Sequence, residues 1–159
     1  MIFFAIKLNK YARGLKTNIL FILLLSGKVL ILSSFDKISI FSGHHAVTRS
    51  LVSGLRRLNV NFNIDPPIME VGDVVINLGQ ENIFWEACKW KRAGRIKKLF
   101  CGPNIWSFPE KMLKILEKPE LDGFFEPSQW IITDLQYLFP CQKDIFLVWY
   151  AGVDEQFWM

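Results

Sequence analysis

No stretch of this sequence is apolar over the roughly 18 consecutive residues that a confident membrane span requires. The common signatures of phosphate, nucleophile and metal chemistry are missing too. There is no G-x-G-x-x-G fingerprint, no G-x-x-x-x-G-K-[ST] loop, no G-x-S-x-G elbow and no H-E-x-x-H. These absences disfavour phosphate-loop hydrolases, serine hydrolases and zinc peptidases. Cysteine is scarce: Cys88, Cys101 and Cys141 lie 13 and 40 positions apart, neither a zinc spacing nor an even disulfide set, so they read as reduced thiols. Charge is also low, at 21% of 159 residues, while 51% are hydrophobic and 14% aromatic. Disordered chains have the opposite balance, so most of this one must fold, and its length suits one compact domain.

The net charge of +4 is carried by one segment. Lys7, Lys10, Arg13 and Lys16 all fall in the first 26 residues, which contain no acid, and the remainder is balanced. The pI near 9.0 is therefore poor grounds for nucleic-acid binding, and no nucleic-acid partner is expected. Residues 1–27 run from basic to apolar, as a signal peptide does, but the apolar stretch Ile19 to Leu25 is short and no small-x-small site follows. An N-terminal extension, a membrane-surface anchor, a signal or membrane helix and an integral part of the fold stay open. The domain itself is expected over residues 28–159. The location expected is cytoplasmic, peripheral to the membrane if residues 1–26 touch a lipid surface.

From Lys28 the pattern becomes regular. Val29-Leu30-Ile31-Leu32 is a continuous apolar run, as in a parallel strand covered on both faces. Val47, Leu51, Leu55 and Leu58 recur at helical spacing with arginines between them. Val60 to Ile64 reads as a strand stopped by Asp65-Pro66-Pro67. The alternation continues: strand 73–79, helix 82–93, strand 98–102, helix 110–116, strand 122–126, helix 129–139 with Ser128 as its cap, and strand 143–149. Strands alternating with helices predict an α/β fold, a Rossmann-like three-layer α/β/α domain with a mainly parallel sheet of about six strands.

Open parallel sheets bind ligands beyond the carboxyl ends of their strands. That rule selects the loops containing Ser42 to His45, Gly79 to Glu81, Gly102 to Asn104, Glu126 to Ser128 and Gly152 to Asp154. Gly43 stands at a helix start, where free N–H groups suit phosphate or carboxylate and a missing Cβ permits close approach; a plain tight turn is the alternative. His44 and His45 are adjacent, so on a helix they diverge by about 100° and chelate one metal poorly. No metal is expected. Either histidine can donate to a ligand or carry its proton, or serve as a cap or surface residue. Asn104 offers an amide at a strand end. Glu126 can bind hydroxyls or act as a base, or complement a helix N-terminus that Ser128 caps. The six basic residues between Lys89 and Lys98 read as a solvated helix end, with a phosphate patch or membrane adhesion as alternatives.

Lys28-Val-Leu-Ile-Leu-Ser-Ser, the loop into Ser42-Gly43-His44-His45, and the helix that leads to Asn59-Val60 resemble the opening of a GT-B glycosyltransferase. Gly102-Pro103-Asn104, Glu126-Pro127-Ser128-Gln129-Trp130 and Trp149-Tyr-Ala-Gly152-Val153-Asp154 are similar to ordered motifs of that fold's N-terminal domain. The P-S-x-W and A-G-V-D elements recur in retaining, nucleotide-sugar-dependent members. The resemblance covers about Lys28 to Phe157. It implies an acceptor-binding half of an enzyme that moves a sugar from a nucleotide diphosphate sugar to an acceptor hydroxyl. It also implies no metal and no cofactor beyond that co-substrate. Gly43, His44, His45, Asn104, Glu126 and Ser128 would line the substrate side, with no residue assigned to bond-making. The acceptor would be a sugar or a lipid-linked one. The donor-binding domain and its paired glutamates lie outside the motifs present, so the expectation is a fragment, a split gene product or half of a two-chain enzyme, inactive alone and partnered by a separate donor domain. The competing reading is a non-catalytic Rossmann-like binding or scaffold protein at a membrane surface.

Overall fold

The computed structural model describes residues 28–33, 42–57, 59–66, 74–78, 81–102, 109–126 and 128–149. Six short strands alternate with helices: β1 Val29–Leu32, α1 Gly43–Arg57, β2 Phe62–Ile64, β3 Val74–Asn77, α2 Glu81–Arg92, β4 Lys98–Cys101, α3 Pro109–Leu116, β5 Gly123–Glu126, α4 Gln129–Leu138, a 3-10 helix Pro140–Ile145 and β6 Phe146–Val148. The strands form one sheet in the order β2-β1-β3-β4-β5-β6, and every pairing is parallel. This is the expected Rossmann-like α/β arrangement. The direction of winding reverses between β1 and β3, since β2 lies on one side of β1 and all later strands on the other.

That reversal sorts the helices. Right-handed crossovers that move in opposite directions along a sheet land on opposite faces. Accordingly Val52 and Leu55 of α1 pack with Val29, Ile31, Val74 and Ile76 on one face. On the other face, Phe84 and Cys88 of α2, Met112 and Ile115 of α3, and Ile132 and Leu135 of α4 pack with Leu30, Leu32, Val75, Leu99 and Phe124. Alternate residues of each strand serve alternate faces, which is why β1, β3 and β5 are buried along their whole length. The continuous apolar runs in the sequence are this double coverage.

The elements begin and end close to where the residue pattern places them, with one substantive difference. Lys143 to Ile145 belongs to the 3-10 helix rather than to the last strand. Proline at its first position favours a helical start, and Lys143 and Asp144 are exposed, so only Phe146 to Val148 joins the sheet. The expected leader at residues 1–27, the 151–154 turn, Gly79 and Asn104 lie outside the described residues.

Among the described residues no helix is long and apolar enough to cross a membrane. The cysteines are free: Cys88 and Cys101 are buried and Cys141 is exposed. Burial pushes the Cys88 thiol up to about 11, with Glu120 adding to it, and burial holds Cys101 well above its ordinary value. Neither is a ready nucleophile.

The basic cluster at Lys89 to Lys98 has a structural task. Lys91 and Lys98 both bond the Asp122 carboxylate, the latter at 2.8 Å, and the Leu99 N–H donates to it at 2.8 Å. Lys91 also donates to the Glu120 carbonyl at 2.7 Å, and Arg92 pairs with Glu120 at 2.9 Å. Lys89 pairs with Glu86 at 2.8 Å on the helix surface. These groups tie the end of α2 to the start of β4 and β5, at the end of the sheet opposite the strands' carboxyl ends.

Candidate functional site

Parallel strands with returning helices put all helix N-termini at one rim, beyond the strands' carboxyl ends. Two groups of polar residues occupy that rim. The first follows β1 and β2. Ser33 continues β1 and is fully buried. Its N–H and Oγ–H donate to the two carboxylate oxygens of Asp65, at 2.7 and 3.1 Å. Asp65 reaches back because it adopts φ 40°, a left-handed conformation that asparagine and aspartate tolerate better than most side chains. Its own N–H bonds the Ile31 carbonyl at 2.8 Å. The end of β2 is thereby clamped to the end of β1.

Helix α1 starts beside this clamp. The His45 N–H donates to the Ser42 Oγ at 3.1 Å, so Ser42 acts as the cap. His45 turns into the core and is buried, whereas His44 is half-buried. The divergence expected of adjacent helical residues is realised. The His44 Nε2 is buried and has no hydrogen-bond partner. Burial lowers the His44 pKa, outweighing the raising effect of Asp65, and His45 lowers it further. His44 is therefore a neutral imidazole near pH 7. A Cβ added at Gly43 would meet no atom of the described residues within 4 Å.

The second group follows β5. Glu126, the last residue of that strand, is only 2% exposed, and its Oε2 has no hydrogen-bond partner. Burial raises its pKa from 4.5 to about 7. Phe124 packs on the face that carries α2, α3 and α4, and Phe125 on the opposite face, so alternation turns Glu126 toward α4. Ser128 stands at the N-cap of α4, in extended conformation, yet makes no side-chain cap bond, and its Oγ is buried without a partner. The capping role expected of this serine is not taken up. Next to β5, the backbone of Gly102 at φ 93° passes so close to the Phe125 carbonyl that any Cβ there would collide with it. Its positive φ and this backbone contact both require glycine there.

Four buried side-chain atoms lack a hydrogen-bond partner among the described residues: His44 Nε2, Glu126 Oε2, Ser128 Oγ and Glu120 Oε2. Three of them belong to residues picked out from the sequence, and those three are at the rim. Gly43, His44, His45, Glu126 and Ser128 thus share one end of the sheet; Asn104 lies outside the described residues. They do not form a single cluster. Two strands intervene between β1 and β5, a separation of about 14 Å at ordinary strand spacing, and α1 and Glu126 are on opposite faces. Sequence reasoning missed Ser33 and Asp65. Their signal was positional: a hydroxyl immediately after one buried strand and a carboxylate immediately after its neighbour.

Among the described residues no three His, Cys, Asp or Glu side chains converge as a metal site would need. No protein-family model matches the sequence. Neither the curated proteins nor the solved structures compared with it yield a significant match.

Proposed function

We propose that this chain is the acceptor-binding half of a nucleotide-sugar-dependent glycosyltransferase, inactive without a donor-binding domain. The reading rests on the ordered motifs that resemble GT-B N-terminal domains. The observation that carries it is the gathering of orphaned polar atoms at one rim: His44 Nε2 after β1, and Glu126 Oε2 and Ser128 Oγ after β5. A buried polar atom left without a partner costs about 1–3 kcal/mol. A fold retains such atoms at a ligand edge when the ligand supplies the missing bond. Hydroxyl groups both donate and accept, so they suit a neutral imidazole, a carboxyl in either protonation state and a serine alike. Attack by the acceptor oxygen on the sugar carbon, with departure of the nucleoside diphosphate, would then take place in the cleft completed by the donor half.

Isothermal titration calorimetry on the full chain tests this reading. Mono- and oligosaccharides should bind saturably, a nucleoside diphosphate sugar should give no heat of binding, and sugar transfer should appear only when a donor domain is supplied. A chain that binds the nucleotide sugar and no saccharide would refute it.

A further inference from the structure

We propose that the junction of β5 and α4 is a subsite for an uncharged sugar, in which Glu126 and Ser128 hold ring hydroxyls and Trp130 packs against the sugar's C–H face. The proposal rests on the acceptor reading only in taking the occupant to be a sugar.

Three features support it. The first is the pair of unpartnered groups. Glu126 is almost completely buried at the end of its strand, faces the side of the sheet that carries α4, and presents an unbonded Oε2; Ser128 presents an unbonded Oγ two residues later. The Ser128 hydroxyl does not cap the first turn of α4, so it leaves that turn's N–H groups to other partners. The second is Trp130, in that same first turn, with 68% of its surface exposed. Trp130 follows Ser128 by two residues, and a pyranose needs both kinds of group, since its equatorial hydroxyls lie at the edge and its C–H bonds on the face.

The third feature is the distribution of charge. Helix starts ordinarily favour anions, so a phosphorylated or carboxylated ligand must be weighed against a neutral one. The described cations are concentrated at the other end of the sheet. Arg56 and Arg57 close α1, Lys89, Lys91 and Arg92 close α2, and Lys114 closes α3; Lys28 precedes β1, Lys98 begins β4, and Lys143 precedes β6. In the first turns of the four helices the only described Lys or Arg is Lys111, against Glu81 and Glu110. Asp65 and Glu126 are at the same rim. An anionic ligand would arrive beside the Glu126 carboxyl with almost no described cation to meet it, whereas a neutral polyol incurs no such cost.

The test uses the intact chain and follows tryptophan fluorescence and amide chemical shifts during titration with four probes: methyl glucopyranoside, glucuronate, glucosamine and inorganic phosphate. Methyl glucopyranoside should bind saturably and perturb residues 126–130. Glucuronate and phosphate should bind at least tenfold more weakly or not at all, and glucosamine no better than the neutral sugar. Ser128→Ala, Glu126→Ala and Trp130→Ala should each weaken neutral-sugar binding about tenfold or more. Ser128→Ala should do so with an unchanged melting temperature, which keeps the test decisive if Glu126→Ala folds poorly. Neutral-sugar binding that survives all three substitutions overturns the subsite and leaves the acceptor reading standing. Stronger binding of phosphate, glucuronate or glucosamine overturns the uncharged-ligand assignment. Failure of every saccharide to bind the unaltered chain overturns both.

Discussion

Burial alone lifts the Glu126 carboxyl from 4.5 to about 7, and the consequence for stability has a definite sign. Below about pH 4.5 the group is protonated in the folded and the unfolded chain. Between about 4.5 and 7 the unfolded chain releases the proton and the folded chain keeps it, so stability falls as pH rises, and above about 7 the loss is complete. The expected loss is of the order of 2 kcal/mol. Glu126→Gln should flatten this part of the curve, so that its melting temperature exceeds that of the unaltered chain at pH 8 and not at pH 5. Parallel pH curves for the two proteins would contradict the assignment. Two glycines should respond in opposite ways. Gly102→Ala forces a Cβ into the Phe125 carbonyl at a positive φ and should cost at least about 2 kcal/mol in urea denaturation. Gly43→Ala, at a helix start, meets no atom of the described residues within 4 Å and should leave stability unchanged or raise it slightly.

At the level of elements, helix α4 is anchored by packing rather than by its first residue. Ile132 and Leu135 are buried against the sheet, while the Ser128 hydroxyl contributes no cap bond. A working N-cap serine is worth about 0.5–2 kcal/mol when replaced by alanine. Ser128→Ala should therefore change the denaturation midpoint by less than about 0.5 kcal/mol. A full capping loss would mean that the hydroxyl is committed to the helix and is not free for a ligand. The joint between α2, β4 and β5 should behave differently. Burial pushes Asp122 upward, but the bonds from Lys91, Lys98 and the Leu99 N–H outweigh it and hold the carboxyl below its ordinary value. A depressed carboxyl stabilises the fold above its unfolded pKa, and that contribution is lost as pH falls through the folded one. Asp122→Asn should cost about 2–3 kcal/mol at pH 7, since it leaves two lysines without their shared partner, and the difference from the unaltered chain should shrink in acid.

Across the whole molecule, one sheet separates two chemistries. The end where strands begin holds the described ion pairs and most described cations; the end where they finish holds three of the four orphaned side-chain atoms, Glu120 Oε2 being the exception. This division follows from winding direction, because every helix returns from the rim and ends at the opposite side. Stability should be graded across the sheet as well. β1, β3, β4 and β5 are interior and almost wholly buried, whereas β2 is an edge strand only half-buried. Amide hydrogen exchange should be slowest in β3 and its neighbours and fastest in β2 and β6. Uniform protection over all six strands would mean that the edges are covered more fully than their exposure indicates.

Most of the architecture was legible in the residue pattern, because double-sided burial needs continuous apolar runs and helices on a core need apolar residues three or four apart. Val29 to Leu32, Val74 to Asn77 and the helical spacing of Leu51 and Leu55 carry that information locally. The β2-β1-β3 reversal, the clamp of Asp65 on Ser33 across 32 positions, and the fate of the Ser128 hydroxyl were decided only by tertiary structure. Each depends on which groups become neighbours after the chain has crossed the sheet. Burial likewise acts on Glu126 only once other residues have closed over it, so its raised pKa is a property of the fold and not of the residue.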